Sequence, residues 1–354
     1  MIKFKTIVIG ALLSLFMISI TSCDDSFIYN KGADCTPKVQ FMFKKHRQAL
    51  HSVPGREPDA FYSTVETVHL FVYDKETGEL VFEKTEKTEN LLSATELKIG
   101  TNEDHCYMPV DLNPGTYKIV AWCGLDSNDE NNAFNLVDGT RGSSYSHCSV
   151  KTRPDGHPVN NEKYEALYHG VVESVDIIID ADNAQIIPIE LTKNTNDIAV
   201  WVQHTNRVLD KDEYEVVYVD NNGTMKFEDN SVSSNKLDYH AHTTSMLTSD
   251  TEYNGSIVQS GALVCHISTA RLMEANKESA RLEVRTKNGD AVFSIPFIKY
   301  LLQMQTLTNK AQYYLDCEDT YNCSFYLTGN DEFFMPARII INNWVVVPQQ
   351  NDEL

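Results

Sequence analysis

The fold is indicated most clearly by residues 65–83, which read Val-Glu-Thr-Val-His-Leu-Phe-Val-Tyr-Asp-Lys-Glu-Thr-Gly-Glu-Leu-Val-Phe-Glu. The first run, Val65–Tyr73, is rich in apolar and aromatic residues, which is typical of a β-strand. Asp74–Gly78 then supplies the aspartate and glycine that favour a tight turn, and a second apolar run returns over 79–83. Two such runs on either side of a turn predict a β-hairpin.

Short strand-like runs separated by turn residues continue along the chain. Asn113-Pro-Gly115 is a turn that leads into the aromatic run Thr116–Cys123. Asn222-Gly223 and Asn288-Gly289 are typical of hairpin turns. Further strands are predicted at 39–43, 186–191, 198–202, 215–219, 224–227, 263–267, 282–285, 291–295, 324–327 and 338–347. Many short strands with turns between them predict an all-β protein built from antiparallel β-sandwiches.

The length of 354 residues favours two domains over one. We place the boundary in the polar segment 180–183, which gives an N-terminal β-sandwich over residues 38–182 and a C-terminal β-sandwich over residues 183–354. Helix is expected to be minor. Residues 296–305 begin with proline and carry apolar residues at helical spacing, which predicts a short helix. Residues 269–277 are a weaker helix candidate.

The N-terminus has the organisation of an export signal. Lys3 and Lys5 precede an uncharged apolar run over residues 7–20, and Thr-Ser-Cys23 follows. A basic segment, a short apolar segment and small residues before a cleavage point are typical of a secretory signal peptide. The cysteine at that point resembles the bacterial lipobox, in which the thiol is acylated and becomes the new N-terminus. We therefore interpret residues 1–22 as a lipoprotein signal peptide and Cys23 as the lipidation site.

Residues 23–37 are predicted to tether the protein to a membrane. A plain secretory signal or a transmembrane anchor fits less well, because the apolar run is short for a bilayer span and no stop-transfer charges follow it. Each buried methylene contributes about 0.8 kcal/mol, so two or three acyl chains hold a protein on a membrane almost permanently. Asp24-Asp25 resembles the acidic export tag of surface lipoproteins in the Bacteroidetes. The expected location is the outer membrane, at the cell surface.

The chain is acidic, with a formal net charge of −20, and 42% of its residues are hydrophobic. The charge disfavours nucleic acid and anionic lipid headgroups as partners, whereas the hydrophobic content is sufficient to build cores. Acylation of Cys23 leaves seven of the eight cysteines, so at least one thiol stays unpaired. Cys317 and Cys323 are close enough in sequence to bridge, but spacing alone leaves the pairing open.

The sequence contains no motif for catalysis or for cofactor binding. It has no nucleophile elbow, zinc-protease helix or phosphate-binding glycine loop, and no spacing of cysteine and histidine suits zinc. Residues 124–159 form a long polar insertion between strands. The acidic segment 126–132 within it matches a calcium loop only in part, because Asn131 stands where the loop needs glycine. We expect no enzyme activity, no cofactor and no metal.

Several segments together resemble one family of proteins. They are Asp34-Cys35, Asp59–Tyr62, Val65–Asp74, Leu112–Gly124, Tyr168–Gly170, Leu191–Ile198 and Ile340–Val347. Their number and order resemble the FimB-type fimbrial anchor subunits of Bacteroidales, within the fimbrillin superfamily, over essentially the whole mature chain. Asn343 stands where that family is expected to have glycine in an Ile-Asn-Gly-Trp ending, which leaves a tight turn at this point unassured.

The resemblance implies two transthyretin-like sandwiches and a structural role. That role is to hold a fimbrial shaft on the outer membrane and to limit its length, with the shaft pilin as partner. In related shaft subunits an arginine-directed protease removes the first strand, and a neighbour's strand fills the groove. An anchor is expected to keep its first strand, here 39–43, although Arg47 and Arg56 follow it and could be cut. We also predict a Cys35–Cys123 bridge; the alternative is a buried, unpaired Cys123.

Residues 338–347 are the candidate for strand-mediated contact with the first shaft subunit. The candidate contact residues are Ile339, Ile341, Trp344 and Val346, and an equal alternative is that this strand completes the second sandwich.

Two other functions stay open. One is a tip or accessory subunit of the same superfamily. The other is a surface lipoprotein that binds glycans or host protein through the insertion 124–159, with exposed aromatics such as Tyr145.

Overall fold

The computed structural model describes most of the chain between Thr36 and Val346. The described residues are 36–43, 61–98, 105–125, 133–137, 149–152, 163–178, 184–227, 232–233, 235–253, 256–303, 311–330 and 333–346.

The first half of the chain is built almost entirely from strands. Its described elements are β1 (Lys38–Phe43), α1 (Phe61–Thr64), β2 (Thr67–Asp74), β3 (Leu80–Lys87), a 3-10 turn (Thr88–Asn90), β4 (Leu92–Ser93), β5 (Cys106–Pro109), β6 (Gly115–Cys123), β7 (Phe134–Val137), β8 (Ser149–Thr152), β9 (Tyr168–Ile177) and β10 (Ile186–Lys193).

Eight of these strands form one sheet in the order β3-β2-β6-β9-β10-β1-β5-β4. The sheet curls around an apolar core in which Val39 and Phe41 of β1 share a cluster with Ile119 of β6 and Ile189 of β10. β1 lies inside this sheet, parallel to β10 and antiparallel to β5. The N-terminal domain is therefore a β-sandwich whose first strand has a strand partner on each side.

The second half repeats this style with longer strands. Its described elements are β11 (Thr195–His204), β12 (Tyr214–Asp220), β13 (Thr224–Lys226), β14 (Val232–Ser233), β15 (Leu237–Tyr253), β16 (Ser256–Ala270), a 3-10 turn (Glu274–Asn276), β17 (Arg281–Thr286), β18 (Ala291–Ile295), α2 (Phe297–Gln303), α3 (Ala311–Cys317), β19 (Thr320–Gly329), β20 (Phe334–Ile341) and β21 (Trp344–Val346).

Nine of these strands form the second sheet, in the order β18-β17-β12-β15-β16-β11-β19-β20-β21. Alternation along β19 shows why it forms: Tyr321, Cys323 and Phe325 are fully buried, whereas Asn322 between them is exposed. α2 adds Phe297 to the same core. The prediction of an all-β protein with two tandem transthyretin-like antiparallel β-sandwich domains and minor helix is confirmed. Each sheet also contains one parallel pair, β1 with β10 and β11 with β19.

The two domains share a core, because β2 and β6 are buried on both faces. Leu70 and Ala121 point into the N-terminal core. The alternate residues Phe71 and Trp122 belong instead to a cluster that continues through the C-terminal domain. In a strand, successive side chains lie on opposite faces, so a strand that is apolar throughout requires a partner on each face.

Phe227, directly after β13, occupies the centre of this junction. Its ring meets Phe71 edge-on with the ring centroids 4.8 Å apart. Its carbonyl oxygen accepts hydrogen bonds from Trp122 Nε1 at 3.1 Å and from His169 Nε2 at 3.0 Å. Both donors are buried in the N-terminal domain, so a single residue of the second domain satisfies two buried polar groups of the first.

A small third sheet also connects the domains. Its order is β14-β13-β8-β7, and Met225 of β13 pairs with Val150 of β8. β7 and β8 come from the insertion 124–159 of the first half, whereas β13 and β14 belong to the second. The described part of the insertion therefore pairs across the domain boundary.

A buried polar network holds the turn between β12 and β13 that leads to Phe227. Asn222 Nδ2 donates to the carbonyl oxygens of Ala270 and Arg271, and its Oδ1 accepts from Tyr239 Oη. The neighbouring Asp220 carboxylate accepts hydrogen bonds from Tyr218 Oη at 2.6 Å and from Asn276 Nδ2 at 2.8 Å. Burial raises the pKa of Asp220 to about 6, although these hydrogen bonds act in the opposite direction.

The structure confirms some of the predicted helices and turns and corrects others. The helix expected over 296–305 is present as α2, directly after Pro296. Asn288-Gly289 turns between the paired strands β17 and β18, with Gly289 at φ 93°. The Asn222-Gly223 hairpin is wrong, because β12 and β13 lie in different sheets. The predicted weaker helix over 269–277 is also wrong, since that segment holds the end of β16 and a 3-10 turn.

Among the described residues, no helix has the length and apolar character needed to span a bilayer.

The domain boundary also differs from the expected one. The sequence predicts it between residues 182 and 183, but β10 (Ile186–Lys193) pairs with β1 in the first sheet, and the second sheet begins with β11. Asn194 therefore separates the two domains. β9 and β10, the strands before and after the predicted boundary, both belong to the first sheet, and polarity alone does not show this.

We predict that Phe227→Ala lowers the free energy of unfolding by about 3–5 kcal/mol, the range for a fully buried phenylalanine. The ring fills the junction, so its loss leaves a cavity between the domains. Urea denaturation measures the change. Phe333→Ala is the matched control, because Phe333 is 44% exposed, and it should cost about 0.5 kcal/mol or less. Equal effects of the two substitutions would show that the domains do not depend on this contact.

We predict that Asp220→Asn changes the pH dependence of stability. A carboxyl whose pKa is raised from 3.8 to about 6 keeps its proton in the folded state over this range, whereas the unfolded chain releases it. Its contribution is therefore full below pH 3.8 and is lost as the pH rises through 6, by on the order of 3 kcal/mol. Urea denaturation between pH 4 and 7 should show a smaller decline for Asp220→Asn than for the native chain. Parallel curves would contradict the assignment.

Candidate assembly surface

The first strand is held firmly in its sheet. Val39 and Phe41 are fully buried. The ring of Phe41 stacks on Phe61 of α1 with centroids 5.5 Å apart, and the ring of Phe43 stacks on Tyr168 of β9 at 4.6 Å. Because β10 and β5 pair with β1 on its two sides, removal of β1 would open an apolar groove through the middle of the N-terminal sandwich.

The C-terminal hairpin, β20 and β21, lies at the edge of the second sheet. Of the four candidate contact residues, Ile339, Ile341 and Val346 are buried in the C-terminal core. Of the four, only Trp344 is exposed, with 59% of its surface accessible, and the adjacent Val345 is also exposed. The strand therefore completes the second sandwich. The outer edge of β21 pairs with no other strand in the part of the chain that the structure describes.

The hairpin turns at two asparagines. Asn342 has φ 45° and Asn343 has φ 70°, which is the left-handed region that both central residues of a type I′ turn occupy. Asn342 also ties the turn to β19, because its N–H donates to the carbonyl of Asn322 and its Oδ1 accepts from the N–H of Asn322, both at 2.8 Å. A tight turn is therefore formed here without glycine, since asparagine tolerates positive φ.

The structure forms none of the candidate disulfides. Cys123, Cys317 and Cys323 are unpaired thiols, and Cys35 lies outside the described residues. Burial raises the pKa of the Cys123 and Cys323 thiols far above the usual range, so both remain protonated and inert. Cys123 thus matches the alternative of a buried apolar residue. Cys323 is buried in the C-terminal core on β19, whereas Cys317 is partly exposed at the end of α3. The two thiols therefore lie in different environments and form no disulfide.

Other sequence-based predictions fall outside the described residues. They are the lipidation site Cys23, the possible cleavage sites Arg47 and Arg56, the acidic loop 126–132 and Tyr145. Within the described ranges, no group of three or more histidine, cysteine, aspartate or glutamate side chains could hold a metal ion.

Sequence reasoning missed the junction around Phe227. It identified a strand over 224–227 but gave it no special role. The only signal was the spacing of Met225 and Phe227, two apolar residues on one face of a short strand. That spacing cannot reveal that the other domain provides the partners Trp122 and His169.

Two tandem sandwiches, an enclosed first strand and a C-terminal hairpin at a sheet edge are the features on which a comparison with known proteins can be made. The family model described as fimbrillin-A associated anchor proteins Mfa1 and Mfa2 matches residues 33–350. The chain belongs to this family, which confirms the resemblance drawn from the sequence. A general fimbrial role at the cell surface and association with fimbrial subunits follow from this membership.

Solved structures from related bacteria share the fold. A candidate adhesin from Bacteroides thetaiotaomicron is 23% identical with a TM-score of 0.67, over 89% of this chain and 98% of the other. A candidate polysaccharide-binding protein from the same species is 23% identical with a TM-score of 0.66, over 90% and 100%. The fimbrial anchor protein Mfa2 from Porphyromonas gingivalis is 17% identical with a TM-score of 0.57, over 88% and 99%. The comparison with curated proteins gives no match.

We predict that the turn residue Asn343 tunes the stability of the hairpin. Asn343→Gly should raise the free energy of unfolding slightly, because glycine has no Cβ to oppose positive φ. Asn343→Ala should lower it by about 1 kcal/mol, the typical penalty for an ordinary side chain in the left-handed region. Thermal denaturation of the two variants and the native chain measures the order. If alanine is as stable as glycine, the type I′ turn is not maintained in solution.

Proposed function

We propose that this protein is a structural lipoprotein that anchors a fimbrial shaft to the outer membrane and limits its length. The observation that carries this proposal is the position of β1, which is buried inside the first sheet between β10 and β5. The strand follows Cys23 in the sequence by fifteen residues. A chain acylated at Cys23 would therefore connect the lipid directly to a strand in the centre of a domain.

The place of β1 is consistent with an anchor that keeps its N-terminus. Cleavage at Arg47 or Arg56 would separate both β1 and the lipid from the rest of the chain. The remaining body would have an empty groove ready for a neighbour's strand, as in a polymerising subunit. In an intact chain the groove is occupied by the chain's own β1, so no donor strand can enter the N-terminal domain. A subunit with its groove already filled ends a polymer on that side, which supports a role in limiting length.

The edge of the second sheet offers a surface for the first shaft subunit. β21 is an edge strand whose outer side can pair with an added strand. Trp344 and Val345 are exposed beside it, and exposed Met335 lies on the neighbouring β20. Ile339, Ile341 and Val346 would remain in the core. The proposed contact therefore uses the edge of β21 and the ring of Trp344, with the shaft pilin as partner and no enzymatic step or cofactor.

A second candidate is an adhesin or a tip or accessory subunit. The observation that favours it is the similarity to solved structures described as candidate adhesins and as a candidate polysaccharide-binding protein. Such a protein would bind glycans or host protein and would contact the shaft without ending it at the membrane. The insertion 124–159 would then serve as a binding loop.

We predict that Cys23→Ser releases the protein, together with its fimbriae, from the outer membrane. Serine cannot be acylated through a thioether, so the hydrophobic attachment is lost. Mass spectrometry of the native protein from sheared fimbriae should find an acylated Cys23 as the mature N-terminus, and the Cys23→Ser strain should shed fimbriae into the medium. Cys35→Ser is the matched control and should keep fimbriae on the cell.

A mature N-terminus after Arg47 or Arg56 would refute the anchor and indicate a polymerising subunit. Recovery of the acylated protein that never co-purifies with pilin would instead favour the glycan-binding or host-binding surface lipoprotein.

A further inference from the structure

The outer face of the second sheet carries a cleft away from the junction and the cores. It has a volume of about 380 Å³, within the usual range for small-molecule sites. It lies across β11, β19 and the turn between β20 and β21. We name it the outer-face cleft, and it is lined by Trp201, Gln203, Asn322, Ser324, Tyr326 and Asn343.

The parallel pairing of β11 with β19 creates this arrangement. Trp201 lies beside Ser324, and Gln203 lies beside Tyr326. The two aromatic residues are thus on neighbouring strands, and their positions differ by two residues along the strand direction. The rings of Trp201 and His266 of β16 form a T-shaped pair, with ring centroids 6.3 Å apart. Trp201 is half-buried and Tyr326 is 38% exposed, so both rings are accessible from solvent.

The chemistry of the lining is neutral and rich in hydrogen-bonding groups. Gln203, Asn322 and Asn343 provide amides, each with two N–H donors and an acceptor oxygen, and Ser324 and Tyr326 provide hydroxyls. Among the described residues, no hydrogen-bond partner is found for the side chains of Gln203, Asn322 or Ser324. These groups are therefore available to a ligand. No lining residue is charged, although the whole chain has a net charge of −20.

We propose that the outer-face cleft binds a neutral carbohydrate. One face of a sugar ring exposes C–H groups that pack against an aromatic ring, and its hydroxyls can pair with amides and hydroxyls in both directions. Trp201 and Tyr326 would provide the apolar platforms, and Gln203, Asn322 and Ser324 would bind the hydroxyls. An apolar peptide would leave these amides unpaired. A metal ion would find no carboxylate among the lining residues.

The same chemistry makes an acidic sugar a poorer ligand. Arg338 of β20 is a cation beside this cleft, since it pairs with Tyr326 in the sheet and is exposed to solvent. An exposed charge at a rim is well solvated and contributes little to binding. The proposal concerns a different site from the edge of β21 and does not depend on the anchoring function.

The test uses the full-length protein purified from outer membranes in detergent. An array that carries neutral and sialylated oligosaccharides, with host-type N-acetyllactosamine chains and microbial or plant glucans, identifies the ligand and its source. Isothermal titration with the strongest neutral oligosaccharide then measures affinity. We expect Tyr326→Ala and Gln203→Ala each to weaken binding by about fivefold or more. Tyr313→Ala should leave it unchanged; Tyr313 is equally exposed at 38% but lies on α3.

Thermal denaturation of each variant establishes whether it folds. If Tyr326→Ala does not fold, Asn322→Ala replaces it, because Asn322 is exposed. Binding of no neutral oligosaccharide, or of sialylated ones only, overturns the proposal. Equal loss with Tyr313→Ala also overturns it. Loss of pilin co-purification in the cleft variants, without any glycan binding by the native protein, would show that the cleft is a protein contact and would refute the carbohydrate assignment.

Discussion

The burial of β2 and β6 on both faces is the constraint on which the rest of the structure depends. One face of these strands closes the N-terminal core, and the other presents Phe71 and Trp122 to the second domain. Without a cover, this second face would leave large aromatic rings in water. Phe227 provides the cover, and its carbonyl oxygen satisfies the N–H groups of Trp122 and His169. The domains are therefore joined through apolar packing and paired polar groups at the same point.

Other contacts also connect the two domains. β1 is paired with β10, and β10 leads through Asn194 directly to β11 of the second sheet. A buried ion pair between Lys193 and Asp319, with 3.4 Å between its charged atoms, adds a polar contact near the change of sheet. The small sheet that pairs β8 with β13 adds backbone hydrogen bonds across the boundary. A subunit proposed to hold a fibre on a membrane benefits from such links, because separate domains on a flexible linker would extend under load.

Sequence reasoning succeeded where the spacing of apolar residues along the chain is enough to predict a strand or a helix. The alternation in β19 and the apolar run of β2 predicted strands, and Pro296 before apolar residues at helical spacing predicted α2. It failed where the partner of a strand decides its role. Asn222-Gly223 has the composition of a hairpin turn, yet Asn222 binds the end of β16 through Ala270 and directs the chain to the third sheet. The polarity of residues 180–183 predicts a domain boundary, yet the strands on either side of them belong to one sheet, and composition carries no information on strand pairing.

The sequence by itself determined the all-β class, the two sandwiches and the family, because these depend on local periodicity and on the order of short segments. The prediction of lipidation at Cys23 also rests on the sequence alone. Only the tertiary structure decided that Ile339, Ile341 and Val346 belong to the core while Trp344 does not, and that Cys123 is an unpaired buried thiol. It alone brought Trp201 and Tyr326 together in one cleft, since they are far apart in sequence and meet only through a parallel strand pair. Side-chain period is a local property, whereas strand pairing is fixed by contacts between distant parts of the chain.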